Sequence, residues 1–366
     1  MAKILTIIFL CCLQLSCNSV NSEQYNSIVK KSCRKAPACF EKIQAAIDAA
    51  PDNSAAPYRI HINDGIYREK VLLTKSNLQL IGDDAKKTRI VFNDYAGKEF
   101  EPGKTLSTPG SATFTVRAQD IFISNLTIEN DFNFLVNDAL ANDNPNRISG
   151  SQAVALFIDA PSDKVLIRDS ALLGNQDTLF VNSGRSWFDQ VLVAGNVDYI
   201  FGKGNAVFTN SEIKTLARGK LNNPYGFITA PSTNITSEYG LTFLHCRLTR
   251  AESVPDNSTP LGRPWHPTTT FADGRYADPD AVGKSVFIKT WMDSHITIDG
   301  WYSMGGTAKD VGRKNFLPED ARFFEYKSTG AGAIVNNKHR QLDAADAEKY
   351  TLEKILGDWK PSNKIF

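Results

Sequence analysis

The chain has 366 residues, with 41 Lys and Arg against 40 Asp and Glu, 42% apolar and 22% charged. That length can build one large solenoid or two ordinary domains, and the even charge argues against a nucleic-acid-binding face. An acidic sugar polymer is not excluded, because a local basic patch would vanish in the total.

In chain order, the first element is MAKILTIIFLCCLQLSCNSV, one Lys followed by a twelve-residue apolar run from Ile4 to Leu15. The run is too short to span a bilayer and has the layout of a secretory signal. We read residues 1–22 as that signal and 23–366 as one exported domain with no membrane segment. Three of the six cysteines fall in the signal; Cys33 and Cys39, close together and outside the cell, are the natural disulfide pair. Cys246 reads as a small buried apolar residue. The five histidines form no HxxH or HExxH pair, so no metal site and no cofactor are expected.

CFEKIQAAIDAAP (39–51) puts Phe40, Ile43, Ile47 and Ala50 on one helical face, with Pro51 as a stop. Such a helix could cap the open end of a solenoid. Residues 94–111 and 251–285 are rich in Gly, Pro, Asp and Ser and read as long loops. DAADAEKYTLEKILGDW (343–359) reads as a second helix.

Between these lies a repeat. GNQDTLF (174–180) returns as GNVDYIF (195–201), 21 residues on, with Gly, Asn, Asp and Phe at the same offsets. Segments of strand-like alternation precede each heptad, IRDSALLG (167–174) and FDQVLVAG (188–195), and FTNSEIKT (208–215) follows. Looser relatives stand at 123–130 and 243–250. A period near 20 residues with β-branched and aromatic runs predicts a parallel β-helix. Gly and Asn are expected at its corners, where φ > 0 is required. A sandwich or barrel with evenly spaced strands is the alternative.

If the coils stack in register, Asp177 and Asp198 face each other across about 4.8 Å, the strand spacing. Two carboxylates so close cannot both ionise freely, so one keeps its proton and the pair divides into acid and base. A structural ladder of corner residues is the competing explanation, and Asn175 and Asn196 look like one. Gln176 precedes Asp177 and Gln152 opens SQAVALFI about one coil earlier; two amides beside a carboxyl pair suit a developing oxyanion. Arg263, held between Gly262 and Pro264, could clamp a carboxylate with its planar fork. Trp265 could offer a face to a sugar ring.

Five blocks, GIYREKV (65–71), SQAVALF (151–157), NQDTLFV (175–181), VDYIFG (197–202) and LGRPWHP (261–267), stand in the order found in pectin methylesterases, which the chain resembles over nearly its whole length after the signal. GRYADPDAVG and PEDARFFEYKSTGAGA resemble the bacterial-type enzymes. Phe180 stands where the family often has Tyr, and Tyr199 where it often has Phe. The resemblance implies a single-stranded right-handed parallel β-helix with a short N-terminal capping helix and a C-terminal helix. It implies a metal-free esterase acting on methylesterified homogalacturonan, with Asp198 as nucleophile, Asp177 as general acid/base, Gln152 and Gln176 as oxyanion donors and Arg263 orienting Asp198. Trp265, Phe201, Phe180, Val197 and Thr108 are the implied substrate contacts, and Tyr67 and Glu69 the implied structural residues. A calcium-dependent lyase or a polygalacturonase on the same scaffold would leave the paired Gln unexplained, and a noncatalytic adhesin would not need the acid pair. A monomer is expected.

Overall fold

The computed structural model describes residues 25–361 apart from 35, 53 and 311, so the predicted signal lies outside the described residues. From Tyr58 onward the chain repeats a three-strand turn. Asp163–Arg168, Ala171–Leu173 and Leu179–Val181 make one coil, and Arg185–Asp189, Leu192–Gly195 and Val197–Gly202 make the next. Equivalent strands stack into sheets of eleven, eight and six strands, and every pairing within the three is parallel. Parallel strands joined by crossovers wind right-handed, and the molecule is a right-handed parallel β-helix.

The interior is held by like-on-like stacking. Phe188, Phe208, Phe243 and Phe287 are fully buried and occupy one register position on four successive coils, their rings 4.6, 4.7 and 4.4 Å apart. Each stacked Phe removes its whole side chain from water, and truncation to Ala would cost about 3–5 kcal/mol, because sheet pairing stops the coils from collapsing into the gap.

The corners meet the expectation at Asn125 and Asn210 and depart from it at the glycines of the heptads. Each strand-like segment of the repeat is two strands meeting at one left-handed residue, Asp169 (φ 48°), Gln190 (φ 55°), Asn210 (φ 50°) and His245 (φ 55°). Gly174 and Gly195, predicted at positive φ, do not adopt it; they are required by space. A Cβ on Gly195 would lie 2.2 Å from Tyr199 Cβ and 2.7 Å from Asn175 O.

The N-terminal helix is shorter than expected, Ile43–Asp48, with Ile43, Ala46 and Ile47 buried. Phe40 is not on it: Cys39–Phe40 pair as a short strand with Ile28–Val29. The first helical amides are capped from afar, Ile43 N and Gln44 N donating to Glu69 Oε1 (3.0 Å) and Oε2 (3.3 Å). Tyr67 is buried with its hydroxyl donating to Asn63 O at 2.8 Å, so both residues of the GIYREK block do structural work. Cys33 and Cys39 are disulfide-bonded, and Cys246 is a buried free thiol pushed up to about 12 by burial.

The predicted C-terminal helix is two, Ala344–Ala347 and Leu352–Leu356, because Asp343 and Thr351 each cap a new start through Asp346 N and Lys354 N. They lie along the outer face of the eleven-stranded sheet, where Tyr350, Ile355, Leu356 and Trp359 pack on Phe122, Leu166 and Trp187. The two predicted loops carry small hairpins, Glu99–Glu101 with Lys104–Thr105, and Thr268–Phe271 with Gly274–Ala277. Two further excursions, 131–155 and 216–226, leave the coils just before the six-stranded sheet.

Candidate active site

The two heptads fall at the start of adjacent strands in the six-stranded sheet. Gln176 bridges Val197, Leu179 pairs with Ile200 and Phe180 with Phe201, a constant offset of 21 residues that sets Asp177 beside Asp198. Both aspartates are left-handed, φ 65° and 49°, a conformation that Asp tolerates better than most residues with a Cβ. Corner geometry therefore accounts for part of the repeat. Behind it, Asn196 Nδ2 donates to Asn175 Oδ1 at 3.2 Å and to Ala217 O at 2.9 Å, so the asparagines are a structural ladder.

Corner geometry does not account for the carboxyls. Each aspartate is only 8% exposed. Asp198 accepts from Arg263 through both oxygens, Nε to Oδ1 at 2.9 Å and Nη2 to Oδ2 at 2.5 Å. Among the described residues, Asp177 makes no side-chain hydrogen bond, and its pKa is raised well above the ordinary 3.8, by burial first and by the Asp198 charge second, against the pull of Arg263. Burial works against the charge on Arg263 as well, but Asp198 outweighs it. The geometry thus sets Asp198, held through both oxygens by a fixed guanidinium, next to a buried Asp177 whose pKa is pushed up by burial and by its neighbour.

Arg263 reaches this point because its backbone joins the end of the sheet: Gly262 bridges Thr229, and Arg263 N donates to Thr229 O at 3.0 Å. Any Cβ on Gly262 would meet Thr229 Oγ1 at 2.1 Å, so glycine is required there. The guanidinium lies 3.9 Å from the centre of the Phe227 ring.

Gln176 and Gln152 are half-buried, and neither amide nitrogen donates to another described residue. Ser151 Oγ donates to Gln176 Oε1 at 3.0 Å, which turns the Gln176 NH2 away from Ser151. Gln152 O accepts from Ala96 N at 2.8 Å, and Ala96 O from Ser107 N at 2.8 Å, so the short helix Ser107–Gly110 carrying Thr108 hangs from the backbone of Gln152.

Two aromatic groups flank the pair. On one side Phe157, Phe180 and Phe201 stack at 4.6 and 4.2 Å, with Trp265 edge-on to Phe201 at 5.6 Å. Phe180 and Phe201 are nearly covered; Trp265 is the more open ring of the group. Trp265 also lines a cavity of about 800 Å³ with Lys203, Asn205 and Tyr239, which neither carboxylate reaches. On the other side Val197 and Phe227 pack with Phe132 and Phe134.

The family model for pectinesterase matches residues 31–358. The chain belongs to the pectinesterase family. It is 45% identical to pectinesterase A of Dickeya dadantii over 341 residues, 92% of each chain. Among solved pectinesterase folds, pectin methylesterase PemA from Erwinia chrysanthemi superposes with a TM-score of 0.88 at 45% identity, covering 92% of this chain and 98% of that one. The pectin methylesterase from Yersinia enterocolitica gives 0.84 at 45%, covering 87% and 99%. The carrot enzyme, at 23% identity and 0.68, shares the fold. The sequence did not single out Phe227, which sits under Arg263, or Ser151, which orients Gln176. Phe227 has no motif around it, whereas Ser151 stood beside Gln152 in a quoted block.

Proposed function

We propose that this chain hydrolyses the C6 methyl esters of pectin, methylesterified homogalacturonan, to methanol and free galacturonate carboxylates through a covalent intermediate on Asp198. The observation that carries the reading is the bidentate hold of Arg263 on Asp198 beside the buried Asp177 carboxyl, whose pKa is raised by burial and by Asp198. Membership of the pectinesterase family, at 45% identity across 92% of the chain, supports the substrate, and a similar pectin methylesterase has been solved with a hexasaccharide bound.

Asp198 attacks the ester carbonyl carbon, and the oxyanion forms within reach of the Gln152 and Gln176 amides. Collapse breaks the bond to the methoxy oxygen, which takes the Asp177 proton and leaves as methanol. Water then attacks the acyl carbonyl and returns a proton to Asp177; the Asp198 carboxylate is regenerated and the product acid ionises to solvent. Arg263 holds Asp198 aimed throughout. Trp265, with Phe180 and Phe201, faces the sugar, and Val197 and Thr108 border it. No cofactor is required by any step.

Residues 1–22 act in this reading as a secretory signal and the remainder as a single monomeric catalytic domain outside the cell. Among the described residues, no helix is long and apolar enough to cross a membrane. The test is methanol and carboxylate release from highly methylesterified pectin, in parallel with absorbance for unsaturated products. Equal yields of methanol and acid, undiminished by EDTA, are expected. Chain cleavage or double-bond formation without methanol would refute the assignment.

A further inference from the structure

The excursion 131–155 brings Phe132 and Phe134 to the candidate site, 216–226 leads into the strand Phe227–Pro231, and among the described residues no sheet pairing holds the two to each other. A nearly buried ion pair joins them, beside an exposed bond from Lys220 Nζ to Asn142 Oδ1 at 3.4 Å. Arg218 Nε donates to Asp138 Oδ2 at 2.7 Å and Nη2 to Oδ1 at 2.8 Å, with side chains 12% and 4% exposed. Gly219 N adds a third bond to Asp138 Oδ2 at 3.0 Å, and Arg218 Nη1 donates to Tyr225 O at 2.9 Å. The backbones touch here: a Cβ on Gly219 would lie 2.2 Å from Leu135 O and 2.5 Å from Ala139 N. Burial alone would raise the Asp138 pKa, yet the Arg218 hydrogen bonds and charge hold it below the ordinary value.

From this pair a packed route leads to the reacting groups. Arg218 lies 5.6 Å from the ring centre of Phe134. Phe134 and Phe132 pack with Val197 and Phe227. Val197 is the residue before Asp198, and Phe227 is the ring against the Arg263 guanidinium, 3.9 Å from its centre.

Resting on the assignment of Asp198 and Arg263 above, we propose that Arg218 and Asp138 are positioning residues for the reaction: their fork locks the two excursions so that Phe227 sets the aim of Arg263 on Asp198. A buried ion pair is a poor source of stability, since removing its charges from water offsets most of the attraction. A planar bidentate fork, in contrast, fixes distance and angle between two loops. The pair therefore supplies geometry.

The test is a double-mutant cycle on methanol release. Asp138→Asn keeps the shape of the side chain and weakens the fork. It should lower kcat by about 10- to 100-fold, the scale of an ångström-sized misplacement, with KM within threefold. Combined with Arg263→Lys, it should cost much less than the product of the two single losses, because both act on one contact. Rates are normalised to folded protein by thermal unfolding, and Arg218→Lys enters the same cycle as the variant that keeps its charge. Multiplicative losses, or an unchanged rate per folded molecule, would overturn the proposal. Failure of both variants to fold would assign the pair to folding alone and also overturn it. If instead Asp198→Asn and Arg263→Lys keep full activity, the reading of the catalytic pair has failed. If those two lose activity while Asp138→Asn does not, only the positioning role has.

Discussion

Replacing Arg263 with lysine separates charge from geometry at the candidate nucleophile. The cation stays, but the two bonds to Asp198 at 2.9 and 2.5 Å become at most one, and the guanidinium face on Phe227 is lost. A hydrogen bond to a charged group is worth about 1.5–3 kcal/mol, and a partly exposed cation–ring contact about 1 kcal/mol more. The grip on Asp198 should weaken by about 2.5–4 kcal/mol. If that loss falls on the transition state, kcat drops by about 70- to 1,000-fold at 1.36 kcal/mol per decade. Arg263 touches an enzyme carboxylate, so KM should move less than threefold. Steady-state methanol release measures both constants, with thermal unfolding as the check on folding. A kcat within threefold of wild type, or a loss borne entirely by KM, would refute this account of Arg263.

Three other outcomes are expected. Asp177→Asn should abolish turnover yet raise the melting temperature. The folded Asp177 pKa lies above its unfolded value, so its contribution to stability is intact at low pH and is lost as pH rises towards the folded value. The variant's advantage should be small near pH 4 and widen towards neutrality; a constant difference across that range would contradict it. Gln176→Ala should cost about 100- to 1,000-fold in kcat, as for other lost oxyanion donors, with KM little changed, read from initial rates. Gly195→Ala should destabilise the fold by at least 1–3 kcal/mol, because the new methyl would lie 2.2 Å from Tyr199 Cβ; a denaturant midpoint equal to wild type would show that the two turns are looser than described.

The repeat was legible because a solenoid copies its register into the sequence: the 21-residue offset between the heptads is the register observed between Gln176 and Val197 and between Phe180 and Phe201. The meaning of single letters within it was less so. Gly195 reads as a flexible corner and is in fact a space requirement, because the atom it avoids belongs to Tyr199 and becomes a neighbour only on folding. Asp177 and Asp198 carry the positive φ expected of glycine, which a residue type alone does not disclose. The helix over 343–359 is broken where Thr351 caps a second start, a local competition that the apolar spacing hides. Arg263 could be proposed as a clamp from its motif, but Phe227, Arg218 and Asp138 could not. They meet through loops of unequal length, with no period to align them.

The central claim is that Asp198 is the nucleophile of an ester hydrolysis. Its most direct test is methanol release from highly methylesterified pectin by wild type and by Asp198→Ala at matched folded concentration. The structure predicts rapid release from the first and none above the uncatalysed rate from the second. A folded Asp198→Ala variant that releases methanol within tenfold of wild type would contradict it and return the two heptads to the role of a structural ladder.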